Sequence, residues 1–293
     1  MRAIVFSDLH IHDTMTNLPN HLEDCMEILD IVFQTAYEDN LDGIIFCGDL
    51  FHQPKNIPLL SLHTTIKKFS NLFKDYPTIK FYCISGNHDQ ATQNIRGKES
   101  LNVLQVFDEV FDNFILIDNE TGSIAGKLVH GVPFYTYPEH LEEVLKELDP
   151  NKIDILLLHN TPSEIFNTHI PTQVDTDVLS KFKQVFIGHI HKPQLLRDNV
   201  LVLGSPKYLD RGDAGDEKFI YLYDSEAEEP IQLFPTPFDK LDIKERKVKD
   251  NISERVETTH YDMQTQDKHS LLAAYCKDMQ LDEETTKIGL GCI

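Results

Sequence analysis

Along the chain, short runs that are apolar at every position alternate with longer segments whose apolar residues recur every three or four positions. Ala3-Ile4-Val5-Phe6 is apolar throughout, which predicts a strand buried on both faces. Leu22, Met26, Leu29, Val32, Phe33, Ala36 and Tyr37 follow at helical spacing, and Gly43 to Cys47 forms a second apolar run. Such a β-α-β unit has a right-handed crossover and parallel strands, so the turns that follow both strands lie at one carboxyl edge of the sheet. Pro58 opens another helical pattern through Leu62, Ile66, Phe69 and Phe73, before a third strand at Lys80 to Ser85.

Further on, the pattern predicts a helix over Ser100 to Val110, strands over Phe114 to Ile117 and Lys127 to Val132, and a short acidic helix over His140 to Leu148. A buried strand over Ile153 to Leu158, a helix over Val174 to Phe182 and a strand over Gln184 to Ile187 come next. Runs at Val200 to Leu203, Phe219 to Tyr223 and Ile231 to Phe234 are expected to close a second sheet, the two sheets lying face to face with helices outside. Pro235-Thr236-Pro237 marks a boundary, giving a domain over 1–236 and an appendage over 237–293. Within the appendage, Lys240 to Lys249 reads as a solvated strand. Leu271, Leu272, Tyr275 and Met279 form an apolar helical face that either packs on its own domain or docks a partner helix.

Five of the apolar runs end in turns of one chemical kind: Ser7-Asp8-Leu9-His10, Gly48-Asp49-Leu50-Phe51-His52, Gly86-Asn87-His88-Asp89, His159-Asn160 and Gly188-His189-Ile190-His191. Glycine before a ligand suits backbone that passes close to an ion or adopts positive φ. Histidine nitrogens mixed with carboxylate oxygens suit borderline divalent ions such as Mn2+, Fe2+ or Zn2+, whereas Mg2+ prefers oxygen. Six of the 14 histidines fall in these turns. The other eight, His12, His21, His63, His130, His140, His169, His260 and His269, are expected to be structural or surface residues.

The five turns in this order resemble the signature of the calcineurin-like metallophosphoesterases. That resemblance implies an α/β fold, a four-layered α/β-β/α metallophosphoesterase sandwich with a small C-terminal cap or helical appendage. It also implies two metal sites: Asp8, His10, Asp49 and His191 for one ion, and Asp49, Asn87, His159 and His189 for the other, with the carboxylate of Asp49 shared. Two ions roughly 3.5–4 Å apart can activate water for in-line attack on phosphorus without a covalent enzyme intermediate. His88, by the same resemblance, faces the substrate as proton donor or transition-state stabiliser, and Asp89 is expected to orient it.

The stretch Gly43 to His52, together with Gly188-His189-Ile190-His191-Lys192-Pro193-Gln194 and Gly204-Ser205-Pro206, is similar to the SbcD-type nucleases of double-strand-break repair. In that family the residue at His52 assists phosphate positioning without binding metal. The resemblance implies a Mn2+-activated DNA exonuclease and endonuclease, with Fe2+ or Zn2+ as alternative ions, acting as a homodimer within a heterotetramer with an SbcC-type SMC-like ATPase. Only 57 residues follow Thr236, where cellular members carry a larger cap; phage-type members are short, and their last segment resembles Leu271 to Gly289. A small-molecule phosphodiesterase or phosphatase is the first alternative, since the ligands do not choose the substrate. A catalytically silent scaffold is the second, and it would be expected to have lost ligands or His88.

Composition changes this picture in one respect. The net charge is −21, and from Pro237 onward 9 Lys+Arg stand against 12 Asp+Glu, so most of the negative charge belongs to the first domain. Phosphate contacts normally come from clustered Lys and Arg, which argues against a free-standing DNA binder and for a partner that brings basic surface. Five cysteines without C-x-x-C spacing read as reduced thiols. With no signal-peptide layout and no long apolar run, a cytoplasmic protein without a membrane span is expected.

Overall fold

The computed structural model describes residues 1–236, apart from 15–17, 19, 54, 92–100, 166–172, 211–212, 214–215, 228 and 230, together with the backbone of 246–250 and 253–257. In chain order the elements are β1 (Arg2–Phe6), α1 (His21–Glu38), β2 (Gly43–Phe46), α2 (Leu59–Asp75), β3 (Phe81–Cys83), α3 (Leu104–Val110), β4 (Phe114–Leu116), β5 (Thr121–Ile124), β6 (Lys127–Val132) and α4 (Pro138–Glu147). Then come β7 (Ile155–His159), β8 (Thr161–Pro162), β9 (Gln173–Val174), α5 (Thr176–Leu179), β10 (Val185–Gly188), β11 (Gln194–Arg197), β12 (Val200–Val202), β13 (Phe219–Asp224), β14 (Ile231–Pro235), β15 (Arg246–Asp250) and β16 (Ser253–Glu257).

Two six-stranded sheets dominate, with strand orders β14-β13-β1-β2-β3-β4 and β11-β12-β10-β7-β6-β5. β1 to β4 are parallel, as are β12, β10, β7 and β6. The apolar runs are explained by which core each side chain enters. Ile4, Phe6, Ile44, Phe46, Phe81 and Cys83 face α1, α2 and α3. Their neighbours Ala3, Val5, Ile45, Cys47 and Tyr82 share a core with Ile155, Leu157, Phe186 and Leu201 of the second sheet. Leu156, Leu158, Val185, Ile187, Val200 and Val202 point the other way, into a third core with Leu141 and Leu145 of α4 and Leu179 of α5. Side chains alternate across a strand, so three stacked cores make four layers, and the inner strands must be apolar on both faces.

Two expectations are corrected. Of the three runs expected to close the second sheet, only β12 belongs to it; β13 and β14 return to the first, β13 pairing antiparallel with β1 from Arg2↔Asp224 to Val5↔Tyr221. The free edge of β1, apolar on both faces, is thereby covered. The expected helix over Val174 to Phe182 shrinks to the single turn of α5, because Gln173–Val174 pairs with Thr161–Pro162 and the Asp175 carboxylate caps the turn at the Asp177 N–H, 2.8 Å away. Beyond it, Asn199 Nδ2 donates to the carbonyls of Ser180 and Phe182 and holds the chain in its turn towards β10.

The chain divides into two compact units, one of Met1–Met15, Asn20–Lys207 and Glu217–Phe238, the other of Thr16–Pro19, Tyr208–Asp216 and Asp239–Ile293. In the second, β15 and β16 form an antiparallel hairpin, and the Asp213 carboxylate accepts from the Leu209 N–H. The apolar segment around Leu271 to Met279, the resemblance over Leu271 to Gly289, and Cys276 and Cys292 lie outside the described residues. Cys25, Cys47 and Cys83 are buried free thiols. Among the described residues no helix is long and apolar enough to cross a membrane.

Candidate metal centre

β1, β2 and β3 end side by side, so the turns after them share one edge, and the ladder continues past the strands. Asp8 N–H donates to the Gly48 carbonyl (2.9 Å), His10 N–H to the Asp49 carbonyl (3.0 Å) and Ile11 N–H to the Leu50 carbonyl (2.8 Å). β7 and β10 bring His159 and Gly188 into register opposite each other. Asp8, His10, Asp49 and His189 all have positive φ (56°, 51°, 60° and 85°). For residues with side chains this region costs roughly 1–3 kcal/mol each and persists only where the surroundings enforce it.

Two positions show how tightly the turns meet. Gly48 has φ 92°, and a Cβ there would lie 2.5 Å from His159 Nδ1 and 2.8 Å from the Gly86 N. A Cβ on Gly188 would strike the Cys47 carbonyl and the Ser7 hydroxyl. Only glycine lets the two sheet edges approach this closely.

Asp8, His10 and His191 form one cluster of converging ligand atoms, and Asp49, His159 and His189 another, each within 4.8 Å. Asn87 Oδ1 lies 2.9 Å from His189 Nδ1 and 3.3 Å from His159 Nε2, in the second cluster. Asp49 Oδ2 stands between the clusters, 3.2 Å from His159 Nε2 and 3.6 Å from His10 Nε2. The carboxylate of Asp8 accepts the His189 N–H at 3.1 and 3.0 Å, tying the first turn to the last.

A divalent ion fits this donor set on one observation above all. The His10 ring is buried, yet neither nitrogen has a hydrogen-bond partner, and Nε2 stands 3.8 Å from Asp8 Oδ1 and 3.6 Å from Asp49 Oδ2. Buried imidazoles are normally satisfied, and donors aimed at a common point without bonding one another are what a bound ion requires.

The electrostatics follow from burying carboxylates and imidazoles together. Burial disfavours the charged form of Asp49, yet the charge and hydrogen bond of His159 outweigh it and hold the carboxyl well below its usual range. For Asp8, burial is likewise outweighed, chiefly by the neighbouring His10 ring, and its pKa is lowered. Against the cost of burial, Asp49 raises His159 to about 9, and Asp8 raises His10. His189, with burial and the charge of His159 acting together, falls to about 4. A proton on His159 and a metal ion therefore compete for the Asp49 carboxylate, so metal binding there displaces a proton.

His88 and His52 converge with His10 in a third group, a ring nitrogen of each within 4.8 Å of the others. Their rings stack at 5.5 Å and 23°, and His10 packs edge-on against both. The His88 N–H donates to Asp49 Oδ1 at 2.8 Å. Its ring Nδ1 meets the His52 carbonyl; since a carbonyl only accepts, Nδ1 carries the hydrogen and Nε2 is the atom left for chemistry. Burial, followed by the charges of His10 and His88, lowers His52 to about 4, so this ring is neutral. His12 packs on His52 with ring centroids 5.5 Å apart.

Asp89, expected to orient the His88 ring, has different partners. Its carboxylate accepts from the N–H groups of Asp49 (2.8 Å), Phe51 (3.1 Å) and Gly86 (3.0 Å), joining two ligand turns. Burial and the charge of Asp49 raise it to about 7.

Sequence motifs pass over several residues that support these turns. Asp118 accepts from the Ser85 N–H (2.8 Å), the Ser85 hydroxyl (2.6 Å) and Asn102 Nδ2 (3.1 Å), beneath the Gly86 to Asp89 turn. Burial raises it to about 6. His21 Nε2 lies 2.8 Å from the His10 carbonyl, and Lys218 Nζ donates to the His191 carbonyl at 2.9 Å.

The sequence profile of the calcineurin-like phosphoesterases matches residues 1–193. The DNA double-strand break repair protein Mre11 of Sulfurisphaera tokodaii is 26% identical over 213 residues, covering 69% of this chain and 53% of its own. Mre11 of Archaeoglobus fulgidus is 24% identical over 242 residues, 77% and 54% respectively. The SbcD subunit of the nuclease SbcCD of Staphylococcus saprophyticus is 25% identical over 296 residues, 89% of this chain and 76% of its own. The chain spans about half the length of these Mre11 proteins. With the matched region carrying all five ligand turns on the two-sheet frame described above, the chain belongs to the calcineurin-like phosphoesterase family.

Proposed function

We propose that the chain is the nuclease subunit of a DNA-processing complex, hydrolysing phosphodiester bonds by in-line attack at a two-ion centre. The observation that carries this reading is Asp49, placed between two ligand clusters, with the His88 ring held beside them by a carbonyl and bonded to no cluster atom. One ion would be held by Asp8, His10, Asp49 and His191, the other by Asp49, Asn87, His159 and His189. Bound there, two divalent ions, Mn2+ in the first instance, supply Lewis-acid activation of water and neutralise phosphate charge.

The chain's own residues do the rest. The Cys47 carbonyl takes the Nδ1 hydrogen of His159 at 2.6 Å and so directs Nε2 inward. His88, with Nδ1 hydrogen-bonded, presents Nε2 to the substrate, and in its protonated form can give that proton to the departing oxygen. His52, neutral and stacked on His88, packs against the ring and keeps its carbonyl on Nδ1.

The relatives' names, a double-strand break repair protein and a component of nuclease SbcCD, favour DNA as substrate and an SbcC-type ATPase as partner. The net charge of −21 supports a division of labour in which the ATPase contributes the basic DNA-binding surface. A second copy of the chain is the further partner. Phe69 and Phe73 of α2 pack on Phe107 and Phe111, and Leu59, Leu60, Val106 and Val110 of α2 and α3 are exposed, apolar surface that a homodimer would cover.

The test offers purified protein with Mn2+ linear duplex DNA, single-stranded DNA and bis-p-nitrophenyl phosphate, with chelator controls and a His88→Gln variant. DNA degradation that needs the metal and falls about 10²–10⁴-fold in the variant while Mn2+ stays bound is the expected result. Hydrolysis of the small diester with DNA untouched, even after an SbcC-type ATPase is added, would overturn the nuclease reading in favour of a small-molecule phosphodiesterase.

A further inference from the structure

The two histidines of the first cluster are held from behind through their main-chain carbonyls. His10, in a left-handed conformation at φ 51°, has its carbonyl met by His21 Nε2 at 2.8 Å. A carbonyl only accepts, so Nε2 of His21 carries the hydrogen; the other nitrogen, Nδ1, has no partner. The His191 carbonyl is met by Lys218 Nζ at 2.9 Å and by the Ser205 N–H at 3.0 Å, and Lys218 also reaches the Ser205 hydroxyl at 3.0 Å. His21 is 1% exposed and Lys218 5%. Their supports are linked: Asp24, one turn along α1 from His21, pairs at 2.6 Å with Lys207, two residues after Ser205. The Cys25 thiol, on the same face of α1, reaches the Leu9 carbonyl at 3.4 Å. The second cluster is braced by other means, His159 through its ring Nδ1 on the Cys47 carbonyl and His189 through its main-chain N–H on the Asp8 carboxylate.

We propose that His21 and Lys218 are positioning residues dedicated to one of the two ions. They fix the carbonyls, and with them the ring directions, of His10 and His191, and they leave the site of His159 and His189 untouched. A buried imidazole and a buried ammonium are costly places for side chains that only fill space. Here each spends a hydrogen bond on a ligand residue whose backbone would otherwise relax. His10 at positive φ needs such a hold more than an ordinary ligand does. The inference rests on the two-ion reading of the site and goes beyond it by dividing the supporting residues between the ions.

The test is equilibrium Mn2+ binding to the full chain without DNA, with free Mn2+ followed by electron paramagnetic resonance. Wild type should bind two ions. His21→Ala, His21→Asn (polar, too short to reach the His10 carbonyl) and Lys218→Met should each weaken one ion by about tenfold or more and leave the other at wild-type affinity. His21→Gln, which can restore a donor near the Nε2 position, should recover most of the loss. In a His191→Ala background, which keeps only the second ion, neither His21→Ala nor Lys218→Met should change the affinity that remains. Equal weakening of both ions, wild-type binding in every variant, or a further loss in the His191→Ala background would each overturn the assignment. Fewer than two ions in the wild type would instead overturn the two-ion reading from which it starts.

Discussion

The two sheets meet at one centre but bring different chemistry to it. The first sends three successive strands, β1, β2 and β3, to the shared edge and delivers both carboxylates of the clusters, the amide of Asn87, His10 and the His52–His88 pair. The second sends β7 and β10 and delivers only histidines: His159, His189 and His191. All the ligand negative charge therefore rides on one sheet, and the other supplies neutral donors that become charged only by taking a proton. Joining the two edges brings the charge of Asp49 against His159, and this pairing raises His159 and lowers Asp49, whereas Asp8 and His10 already shift each other within the first sheet. The asymmetry teaches that the centre is a property of the joint between sheets.

The largest expected effect breaks the asymmetry at its bridge. Asp49→Ala should remove both ions and all Mn2+-dependent hydrolysis, whereas His159→Ala, on the second sheet, should lose one ion and keep the other, as counted by Mn2+ titration. Next is the joint itself. Gly188→Ala drives a Cβ into the Cys47 carbonyl and Ser7 hydroxyl of the first sheet and towards His159 of the second, and should cost about 3 kcal/mol in urea unfolding of the metal-free protein. An unchanged midpoint would show that the sheets can part without cost.

The smallest effect concerns Asp118, just beyond β4, whose pKa is raised by burial from 3.8 to about 6. A carboxyl raised on folding contributes stability below its unfolded pKa and loses it as pH rises through the folded value. Asp118→Asn should therefore gain stability relative to wild type by on the order of 2–3 kcal/mol between pH 4 and pH 7, measured as the difference between paired urea titrations. A constant difference across that range would place the proton elsewhere.

The same comparison explains what could be read from the chain alone. β1, α1, β2, α2 and β3 are legible because burial on both faces forces continuous apolar runs and the crossovers force helical spacing. Ligand turns are legible because few residue types can bind an ion. The sheet membership of β13 is not: Ile220, Tyr221, Leu222 and Tyr223 are buried, and a strand buried on both faces looks the same in either sheet. β5 and β11, with sequences TGSI and QLLR, are short edge strands whose polar positions blur any alternation. His21, Lys218 and Asp118 act on main-chain groups, an interaction any polar side chain could make, so no spacing marks them. A histidine opening the buried face of α1 was the one available hint, and it resembles an ordinary core residue.

The return of β13 to β1 has a consequence for the order in which the protein is made. β1 leaves the ribosome ahead of the other elements, and its neighbour on one side is more than two hundred residues away. Until that neighbour emerges, an apolar strand edge stands open, and contacts so distant along the chain make for slow assembly. Every proposed ligand is already synthesised by His191, yet the lysine that holds the His191 carbonyl and the strand that closes β1 come only afterwards. The nascent chain thus carries the proposed ligands well before it has the frame that aims them, and the proposed centre is assembled only when this part of the chain is finished.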